Sequence, residues 1–198
     1  MSLGSPIDFT PIAVIRTPFR ERIDAPHQSV VGAEPGGDER GVKEAAGVGV
    51  RVPTLATIEF ADWIPAESLQ DLEGFDRVWL IYHLHRSDGW KARVKPPRGP
   101  RRARGLFATR SPHRPNAIGL SCVRLVSVDA ASRSVVVADV DLLDRTPILD
   151  MKPYVPYADA FPDARAGWVD EVDASLGRFT APGPKRPMRA RSGPTPLP

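Results

Sequence analysis

Short runs in which apolar and polar residues alternate predict most of the regular structure. The alternation is clearest at residues 77–85, where its period of two is that of a strand buried on one face. The residues expected to face inward there are Val78, Leu80, Tyr82 and Leu84. Other apolar or β-branched runs predict strands at residues 12–19, 57–60, 117–129, 134–143 and 178–181. Because residues 117–129 and 134–143 are almost continuously apolar, we expect both to be buried on more than one side.

One short helix is predicted at residues 63–75. Pro65 suits its first turn, and Gly74 is placed to end it. Leu69 and Leu72 are spaced to face inward. Short strands between Pro- and Gly-containing turns, with one helix, favour a β-barrel or an α+β fold. A doubly wound α/β sheet is disfavoured because long amphipathic helices do not alternate with the strands.

The chain is expected to contain a single domain, at residues 10–180. Within it, residues 29–52 are rich in Gly, Ala and Glu and are predicted to form a mobile insertion. Residues 181–198 are basic and contain six prolines, so we expect an extended or disordered tail.

Composition excludes several classes of protein. A hydrophobic content of 41% supports a folded core, and no apolar run approaches the ~20 residues needed to cross a bilayer. The N-terminal residues lack the features of a signal peptide. The single cysteine, Cys122, lies in an apolar run and is expected to be a small buried core residue. We therefore expect a cytoplasmic protein without a membrane segment.

Basic residues are concentrated in one stretch, although the formal net charge is only +3. Residues 91–114 contain nine Lys and Arg and no acid. Such a run can form a positive face that binds a polyanion, or it can be a solvated loop.

The sequence ATRSPHRPNAIGL, at residues 108–120, predicts a rigid loop at the start of a strand. Its two prolines restrict the backbone on either side of His113 and Arg114. Gly119 permits close approach of another backbone or of a ligand. A rigid loop that presents Arg110 and Asn116 is suited to binding, because preorganisation lowers its entropic cost. The alternative is a structural corner in which these side chains satisfy backbone carbonyls.

Acidic residues gather around the end of the strand predicted at 134–143. Asp144 precedes a Thr-Pro turn, where an aspartate often bonds to its own backbone. Asp150 and Lys152 share a face if the chain is extended, either in a site or as a simple surface ion pair. Tyr154 and Tyr157 can stack on a purine or cover the core.

A metal site is not expected. His83 and His85 lie two positions apart on one face, but no third ligand stands at a recognisable spacing. Phosphate-binding P-loops, nucleophile elbows and GxGxxG motifs are also missing from the sequence. The residues by themselves thus indicate a β-rich domain with a basic, amide-bearing pocket for an anionic or nucleotide-like ligand.

Five segments together resemble the TrmO family, also called TsaA-like or YaeB-like. They are IAVIRTPF, APHQ, GFDRVWLIYHLHR, the stretch from VKPPRGP to LSCVRL, and DLLDRTPILDMKPYVPYADAFPDA, and they span about residues 12–168. The resemblance implies a β-barrel that binds S-adenosylmethionine, a homodimer, and a tRNA methyltransferase. It further implies methylation of the exocyclic nitrogen of threonylcarbamoyladenosine beside the anticodon.

The resemblance also implies roles for individual residues. The expected cofactor-binding residues are Pro26, His27, Gln28, His85, Arg86, Arg110, Leu120, Asp141, Leu143, Asp144 and Thr146. The residues expected at or near the reaction centre are Arg110, Asn116, Asp144, Asp150, Lys152 and Tyr154, with Asp144 or Asp150 as the base. The residues expected to grip tRNA are Lys91, Arg93, Lys95, Arg98, Arg101, Arg102, Arg104 and Arg114.

Two positions depart from the family pattern. Ala117 stands where a second proline is common, and Arg145 stands where glycine is usual. A glycine there can serve a backbone with positive φ or a close approach to the cofactor. Two alternatives therefore remain open, namely a methyltransferase for another RNA or small molecule, and a non-catalytic S-adenosylmethionine-binding regulator.

Overall fold

Six strands close into a barrel in the computed structural model, which describes residues 5–21, 53–97 and 100–175. The strands are Ala13–Arg16 (β1), Leu55–Phe60 (β2), Arg77–His83 (β3), Arg93–Val94 (β4), Arg104–Gly105 (β5), Ile118–Asp129 (β6), Ser134–Ala138 (β7) and Thr146–Pro153 (β8). The barrel order is β1-β2-β7-β6-β3-β8, with antiparallel neighbours, and β4 and β5 form a separate ribbon. The mainly β barrel that the sequence and the resemblance predict is confirmed.

The barrel interior is filled by side chains from every strand of the closed sheet. In β3, Val78, Leu80 and Tyr82 are buried, as the alternation predicts. Ile15, Ile58 and several valines surround them. Full burial of each such aliphatic side chain contributes about 1.5–3 kcal/mol, so this interior supplies most of the stabilisation.

The prediction that residues 117–129 are buried on more than one side is wrong, whereas residues 134–143 are all buried or partly buried. A barrel strand has a filled inner face and an outer face that other elements must cover. On the outer face of β6, Ile118 and Leu120 are 42% and 49% exposed, and Cys122 is only partly buried. The second strand also ends early, at Ala138, because Asp139 takes a φ of 62°.

The predicted helix is two 3-10 segments, Ala66–Leu69 and Leu72–Gly74. Between them Asp71 adopts a φ of 62°, which interrupts helical hydrogen bonding. Leu69 is buried and Leu72 packs against the core, so the expected inward face is correct.

Strand β8 and two helices were not predicted. The helices are Pro156–Asp159 (α1) and Trp168–Ser175 (α2). None of the helices in the described ranges is long and apolar enough to cross a membrane. The strand predicted at 178–181, the insertion at 29–52 and the tail at 181–198 lie outside the described residues.

Candidate functional site

A chain of three polar side chains links two strands to the segment that joins β7 to β8, residues 139–145. Tyr82 on β3 and Ser121 on β6 both point into the barrel, and their hydroxyl oxygens are 3.0 Å apart. Ser121 Oγ donates a hydrogen bond of 2.8 Å to Asp141 Oδ1. Because the serine has one proton, the tyrosine hydroxyl is the donor to Ser121. We call these three residues the inner cluster.

Burial governs the protonation of the inner cluster. Loss of solvent raises the pKa of Asp141, while the Ser121 hydrogen bond and the Arg110 charge act in the opposite direction. Burial also raises the pKa of Tyr82, so its hydroxyl stays neutral and able to donate. Since Arg110 acts electrostatically on both groups, its guanidinium lies near this end of the barrel. The cluster thus combines a partly buried carboxylate with a nearby cation.

Gly119 makes room for the tyrosine ring. It lies opposite Tyr82 in the β3–β6 pairing, and a Cβ atom on it would be 2.2 Å from Tyr82 Cε2. A close approach is therefore present at this glycine, but the approaching group is an aromatic side chain and not the backbone or ligand that the sequence predicted.

Asp144 holds the 139–145 segment against the end of β1. Its Oδ1 accepts a hydrogen bond of 3.1 Å from the Thr17 amide. Thr17 Oγ1 in turn donates to the Leu142 carbonyl at 3.0 Å. The Asp144 carboxylate thus joins two distant parts of the chain, whereas the sequence predicted a bond to its own backbone. Next to it, Thr146 is buried and donates through Oγ1 to the Leu143 carbonyl at 2.7 Å.

Arg145 has left-handed backbone conformation. Its φ is 61°, which explains why a glycine is suited to this position. The arginine side chain is 76% exposed, and its Nε lies 3.9 Å from Asp144 Oδ2. The departure from the family pattern therefore introduces a solvent-exposed cation beside the barrel end.

His85 and Arg86 extend the same end of the barrel beyond β3. Burial, followed by the charges of Arg86 and His83, lowers the pKa of His85, so its ring is neutral at pH 7. Arg86 donates to the backbone carbonyl of Arg20. The predicted cofactor residues Pro26, His27 and Gln28 lie outside the described residues.

The 106–117 loop is braced from within. Arg114 Nη1 donates to the carbonyls of Thr109 at 3.0 Å and Ser111 at 3.3 Å. Asn116 is exposed, and its carbonyl accepts from the Ile118 amide at 2.7 Å. Arg114 therefore has the structural role of satisfying backbone carbonyls, whereas Asn116 is exposed to solvent.

A second polar group lies on the outside of the barrel. Asp150 and Lys152 on β8 share a face, as predicted, and Lys152 Nζ is 2.7 Å from Asp150 Oδ2. Tyr154 packs beside Trp79, with 5.9 Å between ring centroids. We call Asp150, Lys152 and Tyr154 the outer cluster.

The inner and outer clusters lie on opposite sides of the barrel wall, and the residues of the outer cluster lie beside different parts of β3. Leu120, Ile81 and Asp150 form one row across the sheet, about 10 Å from end to end at the usual strand spacing. The Tyr154 amide donates a hydrogen bond to the Arg77 carbonyl at the start of β3. His83, at the end of β3 near Asn116, is about 20 Å from Arg77 at the usual rise per residue. One chain therefore does not bring Tyr154 next to Asn116.

The basic stretch is organised around the β4–β5 ribbon. Arg93 and Arg104 belong to its strands, and Lys91, Lys95, Arg101 and Arg102 are exposed around it. The Arg104 guanidinium stacks 5.0 Å from the Trp168 ring, which ties the ribbon to α2. Arg98 lies outside the described residues. The described basic side chains around the ribbon are therefore exposed, except that of Arg104, which is partly buried against Trp168.

Other kinds of site receive little support. Two shallow clefts of about 400 and 520 Å³ flank the 3-10 segments, and neither includes a residue of the inner cluster. Within the ranges 5–21, 53–97 and 100–175, no three His, Cys, Asp or Glu side chains are grouped as metal ligands. The barrel end remains the place where most of the described candidate residues meet.

Comparison with protein-family models shows which family the chain belongs to. The sequence model of the tRNA-methyltransferase O N-terminal domain matches residues 14–160. The chain belongs to the TrmO family. The match covers the barrel, the 106–117 loop and both clusters.

Individual TrmO relatives give the same result. The tRNA (adenine(37)-N6)-methyltransferase of Escherichia coli is 38% identical over 176 residues, which cover 86% of this chain and 67% of the relative. A probable S-adenosyl-L-methionine-binding protein of Pyrococcus abyssi is 37% identical over 86% of this chain and 80% of its own length. The crystal structure of TrmO from Pseudomonas aeruginosa superposes with a TM-score of 0.61 at 34% identity, over 83% of this chain. The chain spans 63% of that structure, a little under two thirds.

Proposed function

We propose that this protein is an S-adenosylmethionine-dependent methyltransferase that acts on the exocyclic nitrogen of adenosine 37 in tRNA, in its threonylcarbamoylated form. The observation that carries the proposal is TrmO family membership, with relatives named as tRNA (adenine(37)-N6)-methyltransferases in E. coli and mouse. A relative in Pyrococcus abyssi is named as S-adenosyl-L-methionine-binding.

The groups at the barrel end fit the cofactor chemically. When bound, S-adenosylmethionine supplies an electrophilic methyl group on a cationic sulfonium. The partly buried carboxylate of Asp141 favours a cation, and the guanidinium of Arg110 suits a carboxylate. The neutral ring of His85 and the side chain of Leu143 offer uncharged surface. Asp144, Thr146 and Arg86 act mainly by holding the surrounding backbone, as their hydrogen bonds indicate.

Asp150 is the better of the two candidate bases. A nitrogen attached to a carbonyl is a poor nucleophile until it loses its proton, so a base must stand beside it. The Asp144 carboxylate holds a distant part of the backbone through Thr17, and its side chain is only 26% exposed. The Asp150 carboxylate accepts from the neighbouring Met151 amide at 2.9 Å and from Lys152 at 2.7 Å, but it is 42% exposed and open to a substrate. Asn116 and Tyr154 would orient the base and the substrate, and positioning supplies much of the acceleration in such displacements.

We further propose that two copies of the chain complete the site. Asn116 and Tyr154 are far apart along β3 in one chain, while Ile118 and Leu120 expose apolar surface between them. A second barrel that packs on this outer face would cover Ile118 and Leu120. It would also bring its own 106–117 loop to the outer cluster of the first barrel. The basic residues around the β4–β5 ribbon then grip tRNA phosphates, with an affinity that falls steeply with salt. We place this activity in the cytoplasm.

Nucleoside mass spectrometry provides the direct test. The purified protein is incubated with S-adenosylmethionine and with tRNA that carries or lacks threonylcarbamoyladenosine. We expect methylation only of the threonylcarbamoylated tRNA. Methylation of unmodified adenosine 37 would show that the threonylcarbamoyl group is not required in the substrate. Cofactor binding without methylation of any tRNA would favour the alternative of a non-catalytic regulator.

Arg145 favours one second candidate, a methyltransferase for another RNA. Its exposed cation stands at the barrel end, where it changes the charge that a substrate meets. Total cellular RNA offered to the enzyme, followed by the same nucleoside analysis, distinguishes this candidate from the first.

A further inference from the structure

Phe107 is held out into solvent by a turn that is fixed on both sides. Its side chain is 79% exposed, although it follows Leu106, which is buried in the domain. Thr109 Oγ1 donates to the Leu106 carbonyl at 2.7 Å, and Trp168 Nε1 donates to the Ala108 carbonyl at 2.7 Å. An exposed phenyl ring in a loose loop can turn inward, but this backbone is anchored at its neighbours. The ring is therefore available for contact with a partner.

A guanidinium accompanies the ring. The Arg114 Cζ atom lies 5.7 Å from the Phe107 ring centroid, within the range of a cation–π contact. Its position is fixed by the hydrogen bonds to Thr109 and Ser111. The pair thus presents an aromatic face and a planar cation together.

The surroundings are complementary to nucleic acid. Residues 91–114 carry nine positive charges and no acid, and Arg104 repeats the arrangement over Trp168 at 5.0 Å. Aromatic rings interleaved with arginines bind single-stranded nucleic acid by stacking on bases while the cations meet phosphates. An acidic peptide would use the cations but would leave the flat face of Phe107 without a matching group.

The ring is also close to the inner cluster. Phe107 precedes Arg110 by three residues, so at most about 11 Å separates their Cα atoms. Arg110 acts electrostatically on Asp141 and Tyr82. A base stacked on Phe107 would thus stand beside the end of the barrel at which we propose that the cofactor binds.

We propose that Phe107 and Arg114 form a stacking site for one unpaired base of an RNA loop, next to the base that is methylated. The site rests on the proposed function for the identity of the RNA, and its role is to hold the loop open in a fixed register. Stacking of this kind tolerates any base, because every base has a π face.

Binding of an anticodon-loop RNA that contains 2-aminopurine tests the site. We expect Phe107→Leu to weaken binding about tenfold and to reduce quenching of the fluorescent base, with an unchanged salt dependence. Phe107→Tyr keeps the ring and should bind within about twofold of the wild type. Arg93→Ala is the matched control for phosphate contact, and it should lower the slope of log affinity against log salt by about 1.

The outcomes separate the stacking site from the proposed function. If Phe107→Leu binds the RNA as the wild type does, the stacking site is wrong, whatever the activity. If Phe107→Leu changes only the oligomeric state of the protein, measured by sedimentation, the ring contacts another protein chain and the proposal is again overturned. If the wild type methylates no tRNA but Phe107→Leu still loses RNA affinity, the proposed function fails and the stacking site stands.

Discussion

The inner and outer faces of one barrel wall carry polar groups under opposite conditions. On the inside, Tyr82 and Ser121 are buried. The Tyr82 hydroxyl donates to Ser121 Oγ at 3.0 Å, and Ser121 Oγ donates to Asp141 Oδ1 at 2.8 Å. On the outside, Asp150 and Lys152 form an ion pair whose side chains are 42% and 62% exposed. The alternation of side chains in barrel strands thus yields a fixed polar chain on the inner face of β3 and β6 and a solvated pair on the outer face of β8.

This difference indicates two kinds of contribution to a site. A buried hydrogen-bonded chain is already oriented when a ligand arrives, which lowers the cost of binding. A solvent-exposed ion pair contributes only about 0–1 kcal/mol by itself, and it gains strength when another surface removes water from it. We therefore propose that the inner cluster binds the cofactor and that the outer cluster carries the chemistry once a second surface covers it.

The largest expected effect is that of Asp150→Asn on turnover. Loss of the base should lower kcat about 10²–10⁴-fold, with the cofactor Kd unchanged. Single-turnover kinetics and equilibrium binding of S-adenosylmethionine measure these two quantities separately. Asp62→Asn is the control, since that carboxylate is 98% exposed and pairs with Arg133 away from both clusters. A normal kcat in Asp150→Asn would remove the chemistry from the outer cluster.

Asp141→Asn should act on cofactor binding instead. Under the proposed function the Asp141 carboxylate stabilises the cationic sulfonium, so loss of its charge should weaken binding about 10–100-fold, or by about 1.4–2.7 kcal/mol. Isothermal titration measures the Kd, and kcat at saturating cofactor should change less. An unchanged Kd would contradict the division between the two faces.

The same variant has a distinct dependence of stability on pH. The folded protein binds the Asp141 proton more tightly than the unfolded chain, because burial raises the pKa of this carboxyl. The contribution of this group is thus fully favourable below its ordinary pKa and is lost as the pH rises through the raised value. Asp141→Asn lacks this titration, so its stability relative to the wild type should increase with pH across that window. Denaturant unfolding at a series of pH values is the measurement.

Gly119→Ala tests how tightly the inner face is packed. The added Cβ would lie 2.2 Å from the Tyr82 ring, so the ring must move and the inner cluster must break. We expect a loss of about 1–3 kcal/mol in the free energy of unfolding. Gly105→Ala is the matched control, because no atom lies within 4 Å of its Cβ position. Equal stability of the two variants would show that the ring is not confined.

Tyr82→Phe keeps the ring and removes only the first hydroxyl of the chain. We expect a loss of about 0.5–1.5 kcal/mol in stability and a change in the pH profile of cofactor binding, because Ser121 loses its donor. Tyr157→Phe serves as the control, since that residue is 90% exposed. A pH profile identical to that of the wild type would limit Tyr82 to packing.

The smallest expected effect is a gain of stability in Arg145→Gly. A non-glycine residue with a φ of 61° is strained, and glycine should recover about 1 kcal/mol, partly offset by its greater freedom in the unfolded chain. Thermal unfolding measures the gain. Arg145→Ala removes the same side chain but keeps the Cβ, so it should show no gain. If both variants behave alike, the charge and not the backbone is responsible.

Local patterns in the sequence predicted the inward face of β3, the close approach at Gly119 and the shared face of Asp150 and Lys152. They also anticipated, through the glycine usual in the family, the positive φ at Arg145. These features depend on residues that are close in sequence or directly paired.

Long-range contacts and irregular register were beyond such patterns. The partner of Asp144 is Thr17, 127 residues away. In β8 a register shift opposite Ile81 and Tyr82 interrupts the period of two, and Pro147 further obscures the strand. Ser121 was a missed signal, since a hydroxyl at an inward position of an apolar strand requires a partner, and inward Tyr82 offers one. Phe107 gave no such signal, because its exposure depends on bonds from Thr109 and Trp168.

The bond between Asp144 and Thr17 has a consequence for how the protein is made. Because β1 pairs with β8, the barrel closes only after residues near the start of the chain meet residues that are synthesised much later. Closure of so long a loop is entropically costly and belongs to the slow steps of folding. The 139–145 segment is fixed at that step, so we expect a chain that stops before β8 to lack cofactor binding. Under the proposed assignment of the site, cofactor binding would report closure of the barrel.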